Sequence, residues 1–106
     1  MNEAQKIIGT VTLPLSAPIQ AHKDTLIELT LRRPTPKECR DLGGLPYSLG
    51  SGNKPQPLLN VAAEYIVLCA GIPLSSVDQL DLADFNKAVW SVIGFFMTSA
   101  AEASVS

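Results

Sequence analysis

The sequence predicts an α+β fold in which an N-terminal β-hairpin packs on two main helices, with one short helix between them. Apolar and polar residues alternate over two segments between residues 10 and 33, as is typical of half-buried strands. Two apolar segments, at 57–70 and 82–100, have helical spacing instead. Gly71 and Pro73 are suited to end the first of these helices, and Asp81 to begin the second.

The chain is short enough for one domain. With 106 residues we expect a single α+β domain at 10–98, preceded by a flexible arm at 1–9 and followed by a frayed tail at 99–106. Apolar residues make up 46% of the chain, which is too many for a disordered protein. So high a share also leaves more apolar surface than a small core can bury, which favours a protein partner.

The predicted hairpin covers residues 10–33. Its first strand contains Pro14, which cannot donate a ladder hydrogen bond and therefore belongs on a sheet edge. The residues predicted to face the core are Val11, Leu13, Leu15, Ile27, Leu29 and Leu31. Such a hairpin is marginally stable alone and needs a helix across its apolar face. We expect the helix at 57–70 to cover it.

A short helix is predicted at 35–43. Thr35 is suited to the N-cap, Pro36 to the first helical position and Glu38 to the acidic position of a capping box. The segment that follows, 43–56, is rich in Gly, Pro, Ser and Asn, and we expect a mobile loop there.

Four basic residues surround the start of this short helix: Arg32, Arg33, Lys37 and Arg40. The simplest interpretation is a solvated strand end and helix face. An acidic protein partner is the second interpretation and nucleic acid the third.

The two main helices differ in how much of their surface is apolar. The helix at 57–70 has only Asn60 and Glu64 as a polar strip, so it must be enclosed on two sides or covered by another chain. The helix at 82–100 has one broad apolar face, with Trp90 at its flank. Its periodicity places Phe95 off that face, near polar residues, while Phe96 faces the core.

An exposed phenyl ring is a good anchor for a protein partner, because aromatic residues dominate interface energetics. The candidate partner-binding residues are therefore Phe95, Trp90, Arg32 and Arg33.

Residues suited to catalysis are sparse. His22 is the only histidine and lies in a predicted turn, where nothing positions it for nucleophilic catalysis. Cys39 and Cys69 are far apart, lack metal-ligand spacing and are best interpreted as buried apolar residues. We expect no catalytic residue, no metal and no cofactor, and hence not an enzyme.

Two segments resemble a known family. The turn Ala70-Gly71-Ile72-Pro73 followed by Val77-Asp78-Gln79-Leu80-Asp81, and the strand ending Leu31-Arg32-Arg33-Pro34-Thr35, are similar to the tail assembly chaperones of Mu-like tailed phages. Pro18-Ile19 fits that family's first strand, so the resemblance covers roughly residues 10–97. The segment 43–56 shows no family pattern.

The resemblance implies a chaperone that binds and solubilises the tape-measure protein and recruits tail-tube subunits. It implies the cytoplasm of the bacterial host as the location and absence from the finished virion. Self-association is a further alternative for the surplus apolar surface.

A small nucleic-acid-binding phage regulator is the alternative function, suggested by the helix–turn–helix corner at 71–84 and the basic cluster. Asp81 and Asp84 disfavour it, because they would repel phosphates where a recognition helix is normally basic. The net charge of −2 disfavours nucleic acid as well. No apolar stretch reaches the ~20 residues that span a bilayer, so no membrane partner is expected.

Overall fold

The computed structural model describes residues 9–99 and confirms an α+β fold built on an N-terminal antiparallel hairpin. The predicted arm and tail lie outside the described residues, except for Gly9 and Ser99. In chain order the elements are β1 (Thr10–Ala21), β2 (Asp24–Arg32), α1 (Pro36–Leu42), β3 (Tyr47–Leu49), β4 (Pro55–Pro57), α2 (Leu59–Ala70), α3 (Leu74–Val77) and α4 (Leu82–Met97).

The hairpin contains a bulge that reverses part of its inward face. The pairing runs regularly from Thr10↔Arg32 to Pro14↔Glu28 and resumes at Ile19↔Leu26, so four residues of β1 lie opposite Ile27 alone. As a result Leu26 packs towards the core, while the side chain of Ile27 is 71% exposed. The predicted inward orientation of Ile27 is therefore wrong, because the bulge breaks the alternation that the sequence shows.

The core lies between the hairpin, α2 and α4. The hairpin contributes fully buried side chains such as Leu29 and Leu31, and α2 contributes Tyr65 and Ile66. Both strands contact the helical layer: β1 packs against α4, and β2 packs against α2. The apolar α2 is thus enclosed by the hairpin and α4.

A buried carboxylate fixes the bulge of β1 against α4. Asp84 accepts hydrogen bonds from the backbone nitrogen of Ser16 at 2.8 Å and from its hydroxyl at 2.9 Å. Asp81 occupies the N-cap of α4, where its side chain accepts from the nitrogen of Ala83 at 3.0 Å. Asp84, in the first turn of α4, therefore joins α4 to β1.

Replacing Asp84 with Ala should lower the free energy of unfolding by about 1–3 kcal/mol, since Ser16 then loses its acceptor. Asp78→Ala is the control, because Asp78 is exposed. Chemical denaturation of both variants measures the difference. Equal stability of the two variants would contradict the role assigned to Asp84.

The segment 43–56 differs from the predicted loop, because it includes most of a second, small hairpin. β3 pairs with β4 from Tyr47↔Pro57 to Leu49↔Pro55, and a 3₁₀ turn at Ser51–Asn53 joins them. The hydroxyl of Tyr65 donates to the carbonyl of Gly44 at 2.6 Å, which ties this segment to α2. Gly and Pro are atypical of strand interiors, so the composition of this segment does not indicate its two short strands, which pair with each other in a two-stranded sheet.

Candidate partner-binding surface

The start of α1 is stabilised by the predicted capping box, which Arg32 completes. The nitrogen of Glu38 donates to the hydroxyl of Thr35 at 3.2 Å, and the nitrogen of Thr35 donates to the Glu38 carboxylate at 2.9 Å. Arg32 donates to both oxygens of the same carboxylate, at 2.9 and 2.8 Å. The candidate residue Arg32, at the end of β2, is therefore bound to α1 by an intramolecular ion pair.

These hydrogen bonds make the Glu38 carboxyl unusually acidic. The Arg32 guanidinium, followed by the backbone donor of Thr35, lowers the pKa of Glu38 to about 2. Because the pKa of Glu38 is lower in the folded protein than in the unfolded chain, where it is near 4.5, the capping box stabilises α1 fully only above that pH. That contribution is lost as the pH falls from about 4.5 towards 2.

We therefore expect α1 to fray in acid before the core unfolds. Exchange of the Cys39 amide hydrogen, which is bonded to the carbonyl of Thr35 at 3.0 Å, should accelerate over that pH range relative to amides in α2. Glu38→Gln should remove this extra pH dependence. An unchanged profile in the Gln variant would show that the Glu38 carboxylate does not cause it.

Arg33 and Phe95 form the contact that joins the end of β2 to the end of α4. The Nη2 of Arg33 donates to the carbonyl of Phe95 at 2.7 Å, and its Cζ lies 5.7 Å from the centre of the Phe95 ring. A guanidinium over an aromatic face is a favourable cation–π arrangement.

The predicted exposure of Phe95 is wrong, because the side chain is only 8% exposed. Asp84, Ala88 and Phe95 lie within about 40° of one another around α4. All three are buried, and Asp84 bonds to β1. The hairpin thus covers a flank of α4 that the sequence pattern assigns to solvent.

An apolar groove lies beside this contact. It has a volume of about 390 Å³ and is lined by Arg33, Pro34, Pro36, Cys39, Phe95 and Phe96. We call this surface the arginine groove. Phe96 is positioned by edge-on packing against Tyr65, with ring centres 5.4 Å apart, and against Tyr47 at 6.1 Å.

A second surface consists of the solvent-facing side of α4. Leu82 is 81% exposed, Trp90 43% and Met97 47%. Their spacing places the three side chains within about 80° of one another around the helix. We call them the outer face of α4. Trp90 is thus exposed as its flanking position suggests, on a different side of the helix from Phe95.

The two cysteines have different environments. Cys69 is buried, and desolvation raises the pKa of its thiol to about 11, so it is a poor nucleophile. Cys39 is half-buried at the wall of the arginine groove.

Within residues 9–99 no three side chains of His, Cys, Asp or Glu are grouped to hold a metal ion. No helix in the same part of the chain is long and apolar enough to cross a membrane.

The geometry thus describes a small α+β protein with two apolar surfaces suited to protein partners. The family described as "Phage tail assembly chaperone proteins, E, or 41 or 14" matches residues 12–97. The chain belongs to this family of phage tail assembly chaperones, whose role implies protein partners in tail assembly. Among curated proteins and among solved structures, none matches the chain.

Proposed function

We propose that this protein is a tail assembly chaperone of the Mu-like type, which binds and solubilises the tape-measure protein and recruits tail-tube subunits. The outer face of α4 is the observation that supports this proposal most directly. Leu82, Trp90 and Met97 leave three large apolar side chains in contact with water along one helix. Burying them against a partner would remove that unfavourable exposure.

The shape of this face suits a helical partner. Leu82 and Met97 are 15 residues apart, so the face extends for roughly 22 Å along the axis of α4. An amphipathic helix is commonly bound through apolar side chains arranged in this way. A tape-measure protein, as the resemblance implies, is long, helical and partly apolar. Trp90 would be the dominant anchor, since tryptophan is enriched among interface hot spots.

The protein acts without catalysis, in the cytoplasm of the infected or lysogenic host, and leaves before the virion is complete. The nucleic-acid alternative gains no support, since Arg32 and Lys37 are paired with Glu38 and Asp41. In addition, the N-cap of α4 is Asp81, an acidic residue that would repel phosphates at this end of the helix.

Co-expression tests the proposed activity. A helical fragment of the tape-measure protein encoded by the same phage should be insoluble alone and soluble with this chain. The two should elute as one complex on size exclusion. A fragment that stays insoluble, or that elutes separately, would contradict the proposal.

A further inference from the structure

We infer that the arginine groove binds an acidic apolar segment of a partner protein. It is lined by two phenylalanines, two prolines, a cysteine and Arg33, whose guanidinium lies over the Phe95 ring. Such a wall accepts apolar side chains but gives no selectivity by itself. The selectivity comes from the charges around it.

The charge around the groove is positive in a chain that is negative overall. Residues 32–41 contain four basic and two acidic residues, a net charge of +2, while the chain as a whole carries −2. Two of the cations are neutralised, Arg32 by Glu38 and Lys37 by Asp41, each at 2.8 Å. Within residues 9–99, Arg33 and Arg40 have no carboxylate within the 4.0 Å of an ion pair.

Arg33 is held ready for a carboxylate. Its bond to the carbonyl of Phe95 fixes the guanidinium beside a residue that lines the groove. A guanidinium has five N–H donors. Of these, one is bonded to a described residue. The other N–H groups can donate to a carboxylate of a partner, in the bidentate geometry that makes such pairs strong.

Arg40 extends the same surface. It lines an adjoining depression with Gly43, Gly44 and the exposed Leu45, and Cys39 is shared by the depression and the groove. A bound segment that passes from Arg33 to Arg40 would therefore cross an apolar floor between two cations. Carboxylates on both sides of an apolar side chain complement that pattern.

We assign the occupant to a separate protein rather than a second copy of this chain. Two copies each carry a charge of −2, which opposes their association. An acidic residue beside an exposed apolar one occurs in this chain at Asp81 and Leu82. The Asp81 carboxylate already caps α4, so it is not available to the groove of a second copy. None of the three residues of the outer face of α4 lines the arginine groove, so binding here and binding of the tape-measure protein can fail independently.

The test uses the full chain and two synthetic helical peptides with the same leucine face, one carrying Glu and the other Lys at its remaining positions. By calorimetry the Glu peptide should bind at least tenfold more tightly than the Lys peptide. Arg40→Gln should weaken the Glu peptide about fivefold. The matched control is Lys23→Gln, which removes one positive charge at the far tip of the hairpin and should leave the affinity unchanged.

Alkylation of Cys39 locates the bound peptide. Its half-buried thiol lines the groove, so the Glu peptide should slow its modification several-fold, while the buried Cys69 should stay unmodified with and without peptide, which shows that the fold is intact. Equal affinity of the two peptides, an equal loss in Lys23→Gln, or unprotected Cys39 would overturn the inference. So would a dimer of the free protein that Arg40→Gln dissociates, because a second copy would then be the occupant.

Discussion

Leu29→Ala should lower the free energy of unfolding by about 2–5 kcal/mol, the range for a leucine removed from a core. The side chain is 1% exposed on β2, where the hairpin packs against α2. Leu29 belongs to the same buried core cluster as Leu31, Tyr65 and Ile66, so the truncation leaves a cavity within the core. For a domain of this size, the loss is a large share of the total stability.

Ile27→Ala is the matched control for this prediction, because it removes a similar side chain from the same strand at a site 71% exposed. It should change the free energy of unfolding by no more than about 0.5 kcal/mol. Thermal and urea unfolding of both variants would measure the contrast. If Ile27→Ala is as destabilising as Leu29→Ala, the bulge in β1–β2 is misplaced.

Phe95→Ala should be destabilising by about 3–5 kcal/mol, as expected for a buried phenylalanine. The substitution removes a ring that belongs to the buried core and lies under the guanidinium of Arg33. The sequence pattern alone predicts the opposite, a nearly neutral change at an exposed site. This variant therefore distinguishes the structure from the periodicity most sharply.

Trp90→Ala provides the comparison on the same helix, since Trp90 is 43% exposed and should cost far less stability. Urea denaturation of the two variants under the same conditions gives the answer. If the Phe95→Ala protein is as stable as the wild type, Phe95 is not buried as described, and it is not a wall of the arginine groove.

The features that the sequence predicted well depend on local chemistry. Thr35 and Glu38 form the capping box as expected, and Gly71 ends α2 with a positive φ of 69°. His22 lies exposed in the hairpin turn, also as expected. Each of these needs only neighbouring residues to specify it, so the spacing of residue types is enough.

The features that were missed depend on contacts between distant segments. Phe95 is buried because β1 packs across α4, and Ile27 is exposed because β1 has extra residues opposite it. The arginine groove likewise joins residues from the end of β2, α1 and the end of α4. Arg33 and Phe95 were both candidate residues, but no pattern in the sequence indicated that they touch.

The most direct test of the central claim is the affinity of the tape-measure fragment for Trp90→Ala, measured by calorimetry. We expect weaker binding by roughly 2 kcal/mol or more, as for a hot-spot residue, with the fold intact. Ile27→Ala, which truncates an exposed apolar side chain on β2, should bind like the wild type. Wild-type affinity in Trp90→Ala, or an equal loss in Ile27→Ala, would contradict the assignment of the outer face of α4 to the tape-measure protein.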